Sequence, residues 1–240
     1  MAQITEIGPD IFKISTFIPE TDIQFQQFLV RDEEPLLYHT GMKGIFQIVK
    51  ESVAKLVVPS KIRWIGFSHF EADECGALRE WQKIAPDATA ICSFVSKVVS
   101  VDDVVAERPA KALKDGEVFV TGNSRFRFLQ TPHLPHAWDA SHLFEENSAT
   151  LLCSDLFHQN GDVEPITNSE IVSRFKETLL EYQQGPFANY LPLTSKTEQM
   201  LNRLADLNPK TIAPMHGSTY VGNGKSAIYD LSQVMKDVLG

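Results

Sequence analysis

Four short, largely apolar runs in this sequence each precede a histidine or an aspartate. They are residues 64–68 before His69, residues 125–130 before His136, residues 150–154 before Asp155, and residues 211–214 before His216. Short apolar runs bounded by polar or turn residues predict buried strands. Histidine nitrogens and carboxylate oxygens are donors that bind transition metals. The sequence therefore indicates a sheet-based fold in which several strand ends supply side chains able to bind metal.

The remaining pattern predicts strands first, then helices that alternate with strands. The first 40 residues contain four strand-like runs, at 3–7, 11–18, 27–30 and 35–39, separated by turn signals, which favours an antiparallel meander. Further strands are predicted at 88–93 and 117–121. The predicted helices are residues 44–58, 74–84, 168–181, 195–207 and 226–239. This is a mixed α/β pattern in two similar halves, and without a linker or repeat we expect a single domain over residues 1–240.

Composition excludes several classes of partner. The chain has 22 Lys and Arg against 31 Asp and Glu, a formal net charge of −9. Nucleic acid and anionic membrane surfaces are therefore not expected partners, because both need clustered basic residues. Three cysteines without a C-x-x-C spacing favour reduced thiols and a cytoplasmic location. We expect no signal peptide and no membrane span, since no apolar run approaches about 20 residues.

The densest group of metal-binding residue types lies just after the predicted strand 64–68. His69, Glu71 and Asp73 stand at every second position, so an extended segment would place them on one side. With His136, Asp155 and His216 they make three histidines and three carboxylates. That number suffices for two metal ions that share a bridging carboxylate, whereas a single zinc site needs only three or four ligands.

This constellation resembles the metallo-β-lactamase-like domain of flavodiiron proteins. The motif is His-x-Glu-x-Asp, followed by His, Asp and His after 62, 18 and 60 intervening residues. Most hydrolases of the metallo-β-lactamase fold have a histidine where this chain has Glu71. The resemblance covers essentially the whole chain. It implies an α/β fold of the αββα sandwich type, two mixed β-sheets flanked by helices, with the site at the strand ends between the sheets.

The resemblance also implies a pair of iron ions and a role for each ligand. By position, one iron would be held by His69, Glu71 and His136, the other by Asp73 and His216, with Asp155 as the bridge. A carboxylate at residue 71 makes the site harder and more anionic than an all-histidine site, which favours iron or manganese over zinc. Glu74 stands where the family usually has a histidine. Glu74 either binds the second iron as a further oxygen ligand, or lies near that iron without binding it and leaves a coordination position open.

Other residues near the predicted site have open roles. His133 is an alternative to His136 as the ligand, although the interval favours His136. Asp139 and His158 flank ligand positions and could orient ligands or move a proton. Five aromatic residues could form a gas-accessible pocket or belong to the core: Phe67, Phe70, Trp138, Phe157 and Tyr220.

The function that the resemblance implies is that of a non-haem diiron protein that binds, senses or reduces O2, with NO as a second candidate gas. Flavodiiron proteins continue into a flavodoxin domain that carries FMN, but this chain ends 24 residues after His216. We therefore expect no flavodoxin domain and no bound flavin, as in the stand-alone oxygen-binding diiron proteins. Electrons would come from a separate flavodoxin or rubredoxin, or a signalling partner would read the gas-bound state. The family also suggests a homodimer.

The alternative is a two-metal zinc hydrolase of the same superfamily, which would cleave an ester, thioester or lactam with a metal-bound hydroxide. Glu71 discriminates between these readings, because the hydrolases usually have a histidine there. A third, weaker alternative is a module whose site serves only a structural or partner-docking role.

Overall fold

The structure, a computed structural model, describes residues 2–240 and contains two seven-stranded sheets. The strands of the first sheet follow chain order: β1 Gln3–Gly8, β2 Ile11–Ile18, β3 Ile23–Val30, β4 Leu36–Tyr38, β5 Trp64–Gly66, β6 Thr89–Ser93 and β7 Lys111–Leu113. Strands β1 to β4 pair antiparallel, which confirms the predicted meander. Strands β4 to β7 pair parallel.

The second sheet has the order β12-β14-β13-β11-β10-β9-β8. Its strands are β8 Val118–Val120, β9 Arg125–Gln130, β10 Ser141–Glu145, β11 Thr150–Leu152, β12 Ile166–Thr167, β13 Thr211–Ala213 and β14 Thr219–Val221. Antiparallel pairing runs from β8 to β11, and β11 then pairs parallel with β13. Both sheets are therefore mixed, as the resemblance to flavodiiron proteins implies.

Helices cover the outer faces of the two sheets. They are α1 Phe46–Val53, α2 Ala72–Cys75, α3 Leu78–Ile84, α4 Phe94–Ser96, α5 Ile171–Tyr182, α6 Thr197–Asp206 and α7 Gly224–Leu239. A π-helical segment, Lys97–Val105, continues α4. Within residues 2–240, none of these helices has the length and apolar character needed to cross a membrane.

Three apolar clusters hold these layers together. Phe28 and Leu36 of the first sheet pack with Phe126 and Leu152 of the second, so the sheets share a central core. Val49 and Trp81, on α1 and α3, pack against the outer face of the first sheet. Residues of α5, α6 and α7 cover the second sheet in the same way. Each layer buries one apolar face, and the result confirms the predicted αββα sandwich.

Two predicted helices differ from the structure. Helix α1 ends at Val53, five residues before the predicted end, and Val58 is extended because it precedes Pro59. The predicted helix 74–84 is divided into α2 and α3. The break occurs because the backbone N–H of Ala77 donates to the carbonyl of Gly41 instead of to a residue in its own helix.

One buried charge in the first sheet gives a testable consequence. Lys13 on β2 is only 1% exposed, and its Nζ donates to the backbone carbonyls of Pro165 and Gly217. Burial disfavours the ammonium form and lowers the pKa of Lys13 to about 7, although nearby Glu164 opposes the shift. The folded state therefore releases this proton at lower pH than the unfolded state does.

We expect the stability of the wild type to improve relative to Lys13→Met as pH rises from 7 towards 10. In this window the unfolded chain still holds the Lys13 proton, so its loss from the folded state favours folding by up to about 1.4 kcal/mol per pH unit. Urea unfolding of both proteins at several pH values measures the difference. If the two proteins differed in free energy of unfolding by the same amount at every pH, the expectation would be contradicted.

Candidate metal centre

The predicted ligands converge at one end of the sandwich, where strands of both sheets end. His69 follows β5 of the first sheet, whereas His136, Asp155 and His216 follow β9, β11 and β13 of the second. In the second sheet β11 and β13 are parallel neighbours, and β9 runs in the same direction as β11 because β10 between them is antiparallel to both, so all three strands end at one edge. The candidate ligands therefore come together between the two sheets, where the family resemblance implies a site.

The spacing of His69, Glu71 and Asp73 predicts an extended segment after β5, but only part of this segment is extended. Glu71 is extended, with φ −142° and ψ 163°, and helix α2 begins at the next residue. Asp73 and Glu74 therefore lie in the first turn of a helix, where carboxylates interact favourably with the helix dipole. The prediction of three alternating side chains on an extended segment is wrong for Asp73, although Asp73 still faces the cluster through the turn of α2.

One group of donors surrounds Glu71. Its Oε2 lies 3.0 Å from Nε2 of His69 and 2.9 Å from Nε2 of His136. Oδ2 of Asp155 lies 3.7 Å from His69 Nε2 and 3.5 Å from His136 Nε2. Ligands bound at about 2.0–2.2 Å to one metal ion stand roughly 3–3.5 Å apart, so these four side chains are spaced as a metal shell requires.

A second group of donors lies on the other side of Asp155. Nε2 of His216 is 3.4 Å from Oδ2 of Asp73 and 3.3 Å from Oδ1 of Asp155. Asp155 therefore directs one carboxylate oxygen to each group. Carboxylate oxygens of Glu71, Asp73 and Glu74 also lie within 4.8 Å of one another. The arrangement has the form of two adjacent donor groups that share one carboxylate.

Charge and burial act against each other in this cluster. Burial tends to raise the pKa of Asp155, but the hydrogen bond from His216 and the nearby His69 and His136 hold it well below its usual range. Burial tends to lower the pKa of His216, yet its bonds to Asp155 and Asp73 raise it to about 10. Without metal, protonated His216 thus compensates the carboxylates. A metal ion would displace that proton, since only neutral imidazole binds metal.

Neighbouring groups fix the orientation of two of the histidines. Nδ1 of His216 donates to the backbone carbonyl of Gln24 at 2.9 Å, which leaves Nε2 for the cluster. Nδ1 of His69 lies 2.9 Å from Oγ of Ser68, which in turn contacts Oγ of Ser154 at 2.8 Å. Such outer partners set the tautomer and the ring orientation of a metal-binding histidine.

Glu74 lies beside the cluster and is fully buried. Its Oε1 is 3.9 Å from Nε2 of His69, and neither carboxylate oxygen has a hydrogen-bond partner among the described residues. Burial, reinforced by the negative charges of Asp73 and Asp155, raises the pKa of Glu74 well above its usual value. An unpartnered buried carboxyl group is expensive, and a metal ion would remove that cost.

We expect metal-free Glu74→Gln to gain stability relative to the wild type as pH rises above about 4.5. The unfolded chain loses the Glu74 proton near that pH, whereas the folded chain retains it, so the wild type loses up to about 1.4 kcal/mol per pH unit. Urea unfolding of both metal-free proteins between pH 5 and 8 tests this. Parallel stability curves would show that Glu74 ionises normally in the folded protein.

The other predicted residues lie outside the cluster. Asp139 Oδ2 accepts a hydrogen bond from the backbone N–H of Phe70 at 3.0 Å and so holds the loop that carries His69 and Glu71. The ring of His158 packs 4.4 Å from that of His216, and burial lowers the pKa of His158 to about 3. His133 is exposed and lines a separate cavity with Lys196 and Arg203. The structure thus brings His136, and not His133, to the cluster.

A cavity of about 810 Å³ opens onto the cluster. Its aromatic walls are Phe25, Tyr182, Phe187 and Tyr190. None of the five aromatic residues considered for a pocket lines it: Phe67 and Phe157 are buried in the core, for example, and Trp138 is exposed. Phe187 and Tyr190 follow α5 in a segment without strand or helix periodicity, so no local signal in the sequence pointed to them.

Comparison with known proteins places this geometry in context. Rubredoxin-oxygen oxidoreductase of Megalodesulfovibrio gigas is 25% identical over 200 residues, which cover 82% of this chain and 49% of that protein. Nitric oxide reductase of Moorella thermoacetica is 22% identical over 199 residues, which cover 80% of this chain and 48% of that protein. The chain thus spans about half the length of these two relatives.

The fold also matches a solved structure. A variant of the flavo di-iron protein from Thermotoga maritima superposes with a TM-score of 0.80 and 20% identity, covering 98% of this chain and 62% of that one. The match confirms the predicted fold and its likeness to the flavodiiron core domain. The sequence model described as "ODP family beta lactamase" matches residues 23–217, well over half of the chain. The chain therefore belongs to the ODP family of β-lactamase-like proteins.

Proposed function

We propose that this chain is a non-haem diiron protein that binds O2 or NO at the cluster around Asp155. The observation that carries the proposal is the position of Asp155 between two donor groups. His69, Glu71 and His136 would hold one ion, and Asp73 and His216 the other, with Glu74 available as a further oxygen donor to the second. A bound pair of ferrous ions would supply up to two electrons, one from each ion, to a diatomic gas.

The donor set supports iron over zinc. Three imidazoles and three carboxylates give a harder and more anionic shell than the histidine-rich shells typical of catalytic zinc. Glu71 matters most, because its Oε2 lies between the Nε2 atoms of His69 and His136, within 3.0 Å of each. In a zinc hydrolase of this superfamily an imidazole usually occupies that position.

The protein itself would position the gas and keep the ligands rigid. The carbonyl of Gln24 and the hydroxyl of Ser68 hold the rings of His216 and His69 in place. The neutral ring of His158, 4.4 Å from that of His216, limits the movement of the His216 ring. The cavity beside the cluster supplies a route for the gas to both donor groups.

The names of the relatives support the choice of gas and of electron donor. One is named for rubredoxin and oxygen, and the other for nitric oxide. We propose that this chain takes electrons from a rubredoxin- or flavodoxin-like donor or transmits its gas-bound state to a signalling partner, and that it forms a homodimer. The homodimer is carried over from the family resemblance.

Purification without oxygen followed by metal analysis and exposure to air tests the proposal. We expect about two iron ions per chain and a new visible absorption band when O2 is added. The same experiment with NO compares the two gases. Zinc in the site, no gas-dependent spectrum and turnover of an ester or lactone would instead establish the two-metal hydrolase alternative.

A further inference from the structure

Each candidate ion has ligands from both sheets, so its geometry depends on the contacts that join the sheets beside it. For the second ion, Asp73 lies on α2 after β5 of the first sheet, and His216 follows β13 of the second. Beside the other donor group the sheets are joined at Ser68. Its carbonyl accepts hydrogen bonds from the backbone N–H and the hydroxyl of Ser141, at 2.9 and 2.8 Å. His69 directly follows Ser68, so that donor group has a link of its own.

The turn that carries His216 is joined to the first sheet by a different set of contacts. Two side chains donate to the backbone carbonyl of Gly217: Nζ of Lys13 on β2, at 3.3 Å, and Nε2 of Gln26 on β3. Nζ of Lys13 also donates to the carbonyl of Pro165. Lys13 is 1% exposed and Gln26 is fully buried, so bulk water does not compete for the Gly217 carbonyl.

Strand alternation explains why these side chains reach the turn. Lys13 pairs with Phe28, which lies in the central core, so the Lys13 side chain also points between the sheets. Gln24, Gln26 and Phe28 stand at every second position of β3 and therefore share this face. The backbone carbonyl of Gln24 accepts a hydrogen bond from Nδ1 of His216 at 2.9 Å. Neighbouring parts of β3 thus contact both the His216 ring and the residue that follows it.

The backbone of Gly217 has little freedom to adjust. Its φ is +102°, a region that glycine adopts readily, and a Cβ at this position would lie 2.7 Å from Cβ of Gln159. The residue is therefore packed closely on Gln159 while its carbonyl accepts two hydrogen bonds from the first sheet. Because His216 is the adjacent residue, a shift of Gly217 would move the imidazole relative to Asp73.

Neither polar side chain serves a wider hydrogen-bond network. Among the described residues, Nζ of Lys13 donates to the two backbone carbonyls alone, and Oε1 of Gln26 has no partner. Burying an amine or an amide costs free energy unless hydrogen bonds compensate for it. The acceptor that the two side chains share is the carbonyl of Gly217, so the compensating bonds are concentrated at the residue next to His216.

We propose that Lys13 and Gln26 are positioning residues for His216. Through the carbonyl of Gly217 they fix the imidazole relative to Asp73, and they thereby raise the affinity of the second metal ion only. The other donor group has its own link between the sheets and does not depend on them. This inference rests on the proposed two-metal centre, and it holds whether the ions are iron or zinc.

Stepwise removal of iron measures the effect on each ion. Iron-loaded protein is dialysed without oxygen against increasing concentrations of a chelator, and the ions retained per chain are counted. In Lys13→Met and in Gln26→Met, one ion should bind about tenfold more weakly, as is typical when an outer partner of a ligand is lost. The other ion should be retained as in the wild type. Gln26→Met changes no charge and keeps the side-chain volume, so it carries the test if Lys13→Met does not fold.

A double-mutant cycle separates positioning from general destabilisation. His216→Ala removes the imidazole from the second ion, so adding Lys13→Met to it should not change the affinity of the ion that remains. Gln82→Met is the matched control for the glutamine variant. It removes a buried amide from α3 that accepts a hydrogen bond from the backbone N–H of Glu107 at 2.7 Å, in a segment that carries no candidate ligand. This control should release iron as the wild type does.

Three results would overturn the proposal: unchanged retention of both ions in Lys13→Met and Gln26→Met, equal weakening of both ions, or an effect of Lys13→Met that persists without His216. A wild type that binds fewer than two ions of iron or zinc would overturn the two-metal centre and this inference together. If two ions bind but no gas-dependent spectrum appears, the proposed gas-binding function fails, whereas the positioning role is still decided by the retention of the ions.

Discussion

Replacing Asp155 by alanine is expected to abolish stable binding of both metal ions. Oδ2 of Asp155 lies 3.7 and 3.5 Å from Nε2 of His69 and His136, and Oδ1 lies 3.3 Å from Nε2 of His216. No other described carboxylate reaches both donor groups in this way. Loss of an outer-shell partner alone lowers metal affinity by about 10–100-fold, so loss of the shared ligand should exceed that range for both ions. Metal analysis after dialysis against a weak chelator measures the effect.

Asp237→Ala is the control for this substitution, because Asp237 is exposed on α7 and far along the chain from any candidate ligand. Circular dichroism of Asp155→Ala should match the wild type, since His216 retains Asp73 as an ionic partner. If Asp155→Ala kept one tightly bound ion per chain, the carboxylate would serve one donor group only. The assignment of Asp155 as a bridge would then be wrong.

Much of the fold follows from local patterns, but one central strand does not. Strand β10, Ser141–Glu145, carries a histidine and a glutamate and shows no alternation, so the sequence analysis did not predict it. The structure buries all five residues, because β10 lies between β9 and β11 within the sheet. His142 is accommodated there as a neutral ring: burial lowers its pKa to about 3, and its Nε2 donates to the carbonyl of Cys153. Tertiary position overrides local propensity at this strand.

The candidate ligands were predictable for a different reason. Each follows a strand, and strand ends are brought together by the sheet whatever the intervening sequence. The cavity could not be predicted in this way. Its walls combine Phe25 from β3 with Tyr182, Phe187 and Tyr190 from the end of α5 and the segment after it, and only the tertiary packing of the sheets brings these together. The homodimer and the electron donor stay predictions.

Replacing Glu71 by histidine is expected to shift the metal preference of the centre from iron towards zinc. Glu71 Oε2 stands between the Nε2 atoms of His69 and His136. A third imidazole at that point would create the three-histidine shell that catalytic zinc sites use. The side chain of Glu71 is 51% exposed, so the larger ring fits without displacing the core. When iron and zinc compete for the protein, we expect the bound zinc-to-iron ratio to rise by about tenfold, because the donor is softer and the site less anionic.

Glu71→Gln separates the two causes of this shift. It removes the negative charge but keeps an oxygen donor, so charge alone would give the same zinc-to-iron ratio in Glu71→Gln and Glu71→His. If the donor atom decides, only the histidine variant changes the ratio, while the glutamine variant binds both metals more weakly. The gas-dependent absorption band should decline in parallel with iron content in each variant. Unchanged iron content and an unchanged response to O2 in Glu71→His would mean that the rest of the cluster, and not Glu71, sets the choice of metal.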